Sequence, residues 1–540
     1  LKLLIGIGTT SLLARLLTPA DFGLVAMAMP WFALVESVNS LGLGTATVQR
    51  SHLNQQQASA VFWLSFGINI LLMIGLLLSA PAFAWFYQEP RLVLIIPVMA
   101  LGMASLFISF QHQSLLARQM RFGMLTVIEV GSLALGAGVA LVAALSGWSY
   151  WALVLQLVTY QVAQSLSYWV ACRWRPSSLS SLSELRAKTR RDIRTMLSYG
   201  ANLSGFHLIN RVGMEMDRVL VGYFNGASAL GLYSVAYNWA YFPFNQVYLP
   251  LINVAIASLS RASVEDNQYR SQSRQILMLM FGLCLPALAF LGVSGDQLLL
   301  LLLGNQWIES FPIFRVLVLS VFVGGFYRVT KWIYLSTGQT HRQLRWSLLH
   351  TPIVVAAAAI GTYWGPLGVA WGVTLASLGL TYPAIAFCLR ETPLTMGDFV
   401  GAVWRPTLAS ITAAAALVAG ERWLGFPANA GLHLVLSAAL FAVAYVSSFV
   451  LLPGGWQEVR HAYQALRLLI SKRVDRYRSP QVTLNKKGME AFPPSHLSIR
   501  LSWRYGTSPV VGAAGLGLVK GRDTGQLFAF EQFEAGTAAG

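Results

Sequence analysis

The chain is 540 residues long, 55% hydrophobic and only 11% charged, with a mean hydropathy of +0.57. A soluble globular chain carries about 25% charged residues, so this composition excludes a soluble protein and describes an integral membrane one. The formal charge of +17 argues little for nucleic acid, because the basic residues are dispersed through short loops between apolar runs, as in the cytoplasmic loops of membrane proteins.

Apolar runs long enough to span a bilayer, or nearly so, follow one another at residues 1–17, 22–46, 60–87, 92–114, 124–146, 148–171, 199–222, 230–259, 275–303, 311–335, 344–364, 366–389, 402–424 and 432–452. These predict about fourteen transmembrane helices in an all-α polytopic fold. The first run is shorter than the ~20 residues of a crossing and reads as the end of a first helix truncated at Leu1. No signal peptide is recognisable. Lys and Arg resist translocation, so loop charge orients the chain. Seventeen of them, from Arg50 through the basic loop at 173–198 to Arg405, fall on one set of alternate loops. The other set holds Arg91 and Arg422, with Arg15 at its margin. Both termini are therefore expected in the cytoplasm, with short hairpins outside.

The halves also repeat. Asp21-Phe-Gly-Leu-Val-Ala-Met-Ala28 matches Ala229-Leu-Gly-Leu-Tyr-Ser-Val-Ala236, 208 positions later, and Gly147-Trp-Ser-Tyr-Trp-Ala152 matches Gly365-Pro-Leu-Gly-Val-Ala370, 218 later. A shift of six helices preserves orientation and relates the halves by an axis along the membrane normal. The expected organisation is one lobe at 1–172, the basic loop at 173–198, a second lobe at 199–390 and two further helices at 391–453. An interfacial amphipathic helix follows at 454–473, and then a disordered tail at 474–540.

Ionisable residues inside membrane helices are costly, and mark a cavity, a partner or a substrate path. In the run 199–222, Ser204, His207, Asn210, Arg211, Glu215, Asp217 and Arg218 fall within ~160° of one another at ~100° per residue. Two readings fit. The face lines a wet cavity in which Arg211 and Arg218 attract an anion while Glu215, Asp217 or His207 titrates, or Arg211, Glu215 and Arg218 neutralise one another along the helix. In the run 311–335, Arg328 and Lys331 have no acidic residue beside them; they suit a phosphate at inner-leaflet depth or snorkel to the interface. Their repeat counterparts are Gln111, His112 and Gln113. Arg15 and Arg218 each precede an outward hairpin and form a basic rim for an anion path or touch lipid headgroups. Glu36 and Glu129 are single acids, either counter-ions to these arginines or proton-coupling sites.

Cys172, Cys284 and Cys388 stand far apart, so neither a metal site nor a disulfide framework is indicated. No GxxxxGK(S/T), HExxH or GxSxG motif occurs, and no outward loop is large enough to form a catalytic domain, so neither an enzyme nor a cofactor is expected.

The stretch Leu13-Ala-Arg-Leu-Leu-Thr-Pro-Ala-Asp-Phe-Gly-Leu-Val-Ala26, followed by Gly42-Leu-Gly-Thr-Ala46 with Val48-Gln49, resembles the opening of Wzx-type bacterial polysaccharide exporters, in particular the colanic-acid branch. Phe62-Trp63, Phe86-Tyr87 with Pro90, Leu115-Leu-Ala-Arg118, Ile128-Glu129, Asp217 with Val221-Gly222, and Gly231-Leu-Tyr233 continue it over residues 1–450. The resemblance implies the fold of the multidrug/oligosaccharidyl-lipid/polysaccharide (MOP) superfamily: two six-helix lobes around a central cavity plus two C-terminal helices. It implies that an undecaprenyl-diphosphate-linked oligosaccharide is flipped across the bacterial plasma membrane, among membrane lipids and beside polysaccharide polymerase machinery. Arg328 and Lys331 would take the diphosphate, Arg211, Arg218 and Arg15 would guide it outward, and Trp239, Tyr241 and Trp332 would meet sugar. Rival readings are a cation-coupled drug extruder or peptidoglycan-precursor flippase of the same superfamily, and a non-transporting scaffold of a polymerase complex.

Overall fold

A computed structural model of the chain describes residues 1–39, 55–177, 187–262, 266–424, 426–427, 429–457 and 460; for residues 38–39, 187–210, 253 and 424 it describes the backbone alone. The helices are α1 (Lys2–Leu16), α2 (Pro19–Asn39), α3 (Gln55–Tyr87), α4 (Leu92–Arg118), α5 (Phe122–Leu145), α6 (Trp151–Ala171), α7 (Ala187–Ala262), α8 (Asp266–Leu303), α9 (Ser310–Arg328), α10 (Thr330–Ser336), α11 (Thr340–Gly361), α12 (Gly365–Leu389), α13 (Met396–Leu424) and α14 (Ala430–Leu451). No strand occurs among the described residues. Ten helical stretches are long and apolar enough to cross a membrane, and the protein is a multi-pass membrane protein. Large apolar side chains such as Leu71, Leu78, Val142 and Val435 stay exposed on the helix faces, as a lipid solvent requires.

Two expected runs merge in α7. Gly226 takes φ +80°, a left-handed conformation that glycine alone enters freely, and folds the helix into two arms. The pairs Asp217–Tyr233 and Arg218–Tyr237 lie almost symmetrically about Gly226, so the arms run antiparallel. Several helices begin before their apolar runs. α7 starts at Ala187, inside the stretch expected as loop, and α8 and α13 start at Asp266 and Met396. Hydropathy marks where hydrocarbon begins, whereas the backbone keeps its helical hydrogen bonds through the headgroup layer. The run 311–335 is interrupted at Val329, which separates α9 from α10. Part of the basic loop, most of the amphipathic helix at 454–473 and all of the tail at 474–540 lie outside the described residues.

Helices α1 and α3 to α6 pack on one another, α7 to α12 form a second group, and α13 and α14 pack on α8. The groups join chiefly where α2 lies along α7. Small residues permit that contact. Gly23 faces the backbone of Ala227 and Gly231 faces the backbone of Pro19, so closely that a β-carbon on either would overlap a carbonyl oxygen. These glycines are repeat equivalents, 208 positions apart.

Beside this crossing the two groups cap each other's helices. The last carbonyls of a helix have no partner within it. Here Arg15 donates Nε to the Leu302 carbonyl at 3.3 Å and its terminal amine to that of Leu301 at the end of α8. In return, Trp307 Nε1 donates to the Ala14 carbonyl at 2.8 Å and Gln306 donates to that of Leu17 at 3.0 Å, at the end of α1. Phe22 meets the fully buried Trp307 edge-on at 5.2 Å, and Phe86 of α3 packs on Tyr223 of α7 at 4.6 Å. At this hairpin end the two groups are closed together.

Candidate functional site

The second arm of α7 carries Tyr233, Tyr237, Tyr241 and Tyr248, spaced four, four and seven residues apart, which sets them along one helix face. Tyr237 and Tyr241 stack with centroids 4.2 Å apart. An arginine covers each end of that pair. Arg218, from the first arm, sits 4.3 Å above Tyr237. Arg328, the last residue of α9, sits 4.7 Å above Tyr241 and 5.7 Å from Phe244. Gly325 makes room for Phe244, and the Tyr248 hydroxyl donates to the Arg328 carbonyl at 3.1 Å. The result is a column in the order Arg218, Tyr237, Tyr241, Arg328, held by cation–π and stacking contacts.

The two ends of the column differ electrostatically. Glu215, 6% exposed, lies 2.9 Å from Arg218 and 3.3 Å from Arg211. Asp217 instead accepts from the Tyr233 hydroxyl at 2.9 Å and from the Arg218 backbone N–H at 2.8 Å. Two acids thus balance two bases. At the other end, no ion pair to Arg328 occurs among the described residues, and its guanidinium lies against the Tyr241 and Phe244 rings.

The remaining candidates scatter. Arg15 caps α8 across the junction. Glu129 of α5 pairs with Lys2 of α1, so its counter-ion is a lysine and none of the arginines named for it. Glu36 is half-buried on α2, and Lys331 is half-buried on α10, beyond the break at Val329. The His207 side chain lies outside the described residues. Trp332 is enclosed in the core at 1% exposure and cannot meet a substrate in this state, while Trp239 is half-buried beside Phe242. His112 is also fully buried, with Trp169, Trp174 and Phe62 at 4.1, 5.4 and 6.4 Å. Two apolar grooves of about 540 and 550 Å³, one between α5 and α6 and one among α9, α12 and α13, contain none of these residues. Among the described residues, no cluster of three or more His, Cys, Asp or Glu is placed to hold a metal.

Tyr237 and Tyr233 are members of this arrangement to which the sequence reading gave no role. Their four-residue spacing was visible, but Tyr in a membrane helix is commonly an interfacial anchor. Only the fold at Gly226 brings Arg218 onto Tyr237.

A kinked bundle of this kind defines the class: a polytopic helical membrane protein. It overlays the structure of the lipid II flippase MurJ in an inward closed conformation with a TM-score of 0.63 at 12% identity, covering 83% of this chain and 96% of that one. It also overlays an inward-facing multidrug resistance MATE family transporter of the MOP superfamily, with a TM-score of 0.55 at 15% identity, covering 76% and 95%. At such identities the likeness speaks for the fold alone. Residues 12–312, more than half of the chain, match the family described as polysaccharide biosynthesis protein, and the chain belongs to that family. It is similar to the teichuronic acid biosynthesis protein TuaB of Bacillus subtilis, at 26% identity over 81% of this chain and 89% of the relative. It is also similar to the succinoglycan biosynthesis transport protein ExoT of Rhizobium meliloti, at 27% over 81% and 87%. The lipopolysaccharide biosynthesis protein WzxC of Escherichia coli is 20% identical over 70% and 75%, in keeping with the Wzx-type resemblance.

Proposed function

We propose that the protein is a flippase that moves undecaprenyl-diphosphate-linked oligosaccharide repeat units from the inner to the outer leaflet of the bacterial plasma membrane, for exopolysaccharide, capsule or O-antigen synthesis. The observation that carries this reading is the column with Arg328 at its open end. A guanidinium paired with no carboxylate among the described residues, held against aromatic rings in a membrane protein, calls for an anion, and a diphosphate supplies one with fork-like geometry. The half-buried edges of Tyr237 and Tyr241 suit sugar rings. Family membership and relatives named for teichuronic acid, succinoglycan and lipopolysaccharide synthesis support the substrate class.

In this reading α1 to α6 and α7 to α12 are two lobes that rock about the substrate. The basic end of the bundle, with both termini, faces the cytoplasm, and the hairpin end sealed by Gly23 and Gly231 faces outward. Arg328, with Lys331, takes the diphosphate first. Arg211 and Arg218 receive it next, and Arg15 belongs to the outer closure it must pass. No bond in the substrate changes, and any polymerase partner acts on the delivered unit. An extruder of cationic drugs fits less well, because the uncompensated charge of the column is positive.

Reconstitution tests the proposal. Full-length protein in liposomes should move a fluorescent prenyl-diphosphate oligosaccharide between leaflets, and Arg328→Gln should slow this at least tenfold. Wild-type rates in a well-folded Arg328→Gln protein refute it.

A further inference from the structure

The junction that closes the hairpin end is aromatic as well as glycine-lined. Tyr87, the last residue of α3, sets its ring against Gly222 of α7, where an added β-carbon would lie 3.0 Å from its Cε1. Beside it, Phe86 packs on Tyr223 with centroids 4.6 Å apart and planes 31° from parallel. The row extends both ways. Tyr223 meets Phe224 edge-on at 4.9 Å, and Phe86 meets Trp31 of α2 edge-on at 6.4 Å, which in turn stacks on Phe83 at 4.4 Å. Tyr223 and Phe224 are exposed at the α7 tip, and Asn225 next to them has a buried amide oxygen without a hydrogen-bond partner. An interfacial anchor presents its ring to the headgroup layer, as Trp85 does at 83% exposure. Phe86 and Tyr223 instead turn theirs toward each other, across the boundary between the two helix groups.

We propose that Phe86 and Tyr223 form a sugar-operated latch: the rings stack on each other while the outer end is closed, and take pyranose rings of the cargo against the same faces when it opens. This rests on the reading of the protein as a carrier of diphosphate-linked glycans and gives the sugar part a task. The two rings belong to different groups, so their stack must part when the hairpin ends separate. Parting wets two aromatic faces, which opposes opening. A pyranose carries an apolar face of C–H groups with partial positive charge, and this suits the negative face of an aromatic ring. The Asn225 amide oxygen adds an acceptor for a sugar hydroxyl.

Position supports the same assignment. Tyr223 lies five residues beyond Arg218, ~7.5 Å farther toward the tip at the rise of a helix. A glycan attached to a diphosphate at Arg218 therefore reaches the level of the latch. Sugar then replaces the ring–ring contact, and cargo that carries it favours the open form more than a bare lipid diphosphate does.

Pulsed electron resonance tests this, with spin labels at the exposed Trp148 and Tyr363 of the full chain in lipid nanodiscs, its three buried cysteines replaced. Two probes of equal charge are compared at saturation: geranyl-diphosphate N-acetylglucosamine, and geranyl methyl diphosphate, in which a methyl group stands in place of the sugar. Without further substitution, the sugar-bearing probe should raise the ratio of open to closed forms about 2- to 12-fold above the methyl probe, the range of one aromatic stacking contact. Phe86→Leu and Tyr223→Leu keep apolar bulk but lose the ring face. Each should open more readily without ligand and respond equally to both probes, whereas a purely structural contact would change the first reading and leave the second. Trp423→Leu, at an exposed aromatic on α13, should keep the sugar response. Equal responses of the unsubstituted protein to both probes overturn the latch, as does a sugar response that survives in the leucine forms or is lost equally in Trp423→Leu. Either leucine form suffices if the other folds poorly, and the comparison of probes needs neither. Equal responses leave the carrier reading standing; absence of binding of both probes, by isothermal titration, overturns that reading and the latch with it.

Discussion

Gly231→Ala adds a single methyl group where α7 crosses the start of α2. The new β-carbon would overlap the Pro19 carbonyl and lie 3.1 Å from the Gly23 nitrogen. Backbone flanks it on both sides, so no side chain can swing aside. Overpacking of this kind costs ~1–3 kcal/mol, and only while the hairpin ends are together. The helix-propensity gain of about 1 kcal/mol for replacing glycine applies equally whether they are together or apart. The ratio of closed to open forms should therefore fall by about 5- to 150-fold. Spin labels at Trp148 and Tyr363, exposed sites on the α5–α6 and α11–α12 hairpins, report the separation by pulsed electron resonance once the three buried cysteines are replaced. Gly231→Ala and its repeat equivalent Gly23→Ala should both gain a longer-distance population. Gly67→Ala should not, because its added carbon meets nothing within 4 Å. Unchanged distances in both gate variants, with wild-type melting, would show that the junction is not a steric closure.

Three further outcomes are expected. Trp307→Phe keeps a ring against Phe22 but loses the donor to the Ala14 carbonyl, and should cost about 1 kcal/mol, seen as earlier thermal unfolding in detergent; an unaltered melting curve contradicts the capping role. Gly226→Ala places a β-carbon at φ +80° and ψ −177°, a region open essentially to glycine alone, and should cost ~1–3 kcal/mol, with Gly226→Asn no milder, and equal yields and melting for all three proteins would count against the hairpin turn. Tyr241→Ala removes the ring shared by Arg328 and Tyr237 and should slow lipid-diphosphate translocation about tenfold or more, while Tyr241→Phe retains most of the rate; equal slowing by both variants would assign the role to the hydroxyl.

The helical course of the chain was legible because apolar runs of membrane length are hard to mistake, and the repeat was legible in Gly23 and Gly231 before their crossing was known. Helix ends were not, since α7, α8 and α13 continue into polar sequence that hydropathy reads as loop. The pairing of Glu215 with Arg211 and Arg218 follows from spacing along one helix. The partners of Arg15 and Glu129 do not, because Leu301, Leu302 and Lys2 meet them only through packing between helices distant in sequence. The tyrosine column is intermediate: its spacing is local, while the arginines at its ends arrive from the other arm of α7 and from α9.

Arg218 and Arg328 lean on the outer faces of one stacked tyrosine pair, so neither has a private environment. Substituting one changes the packing and electron density that the other feels through the rings, and the energies of removing them should not add. Measured one at a time, each arginine will be credited with part of its neighbour's contribution. A double-mutant cycle across Tyr237 and Tyr241 should give a clear coupling energy, making the pair one binding unit with two ends.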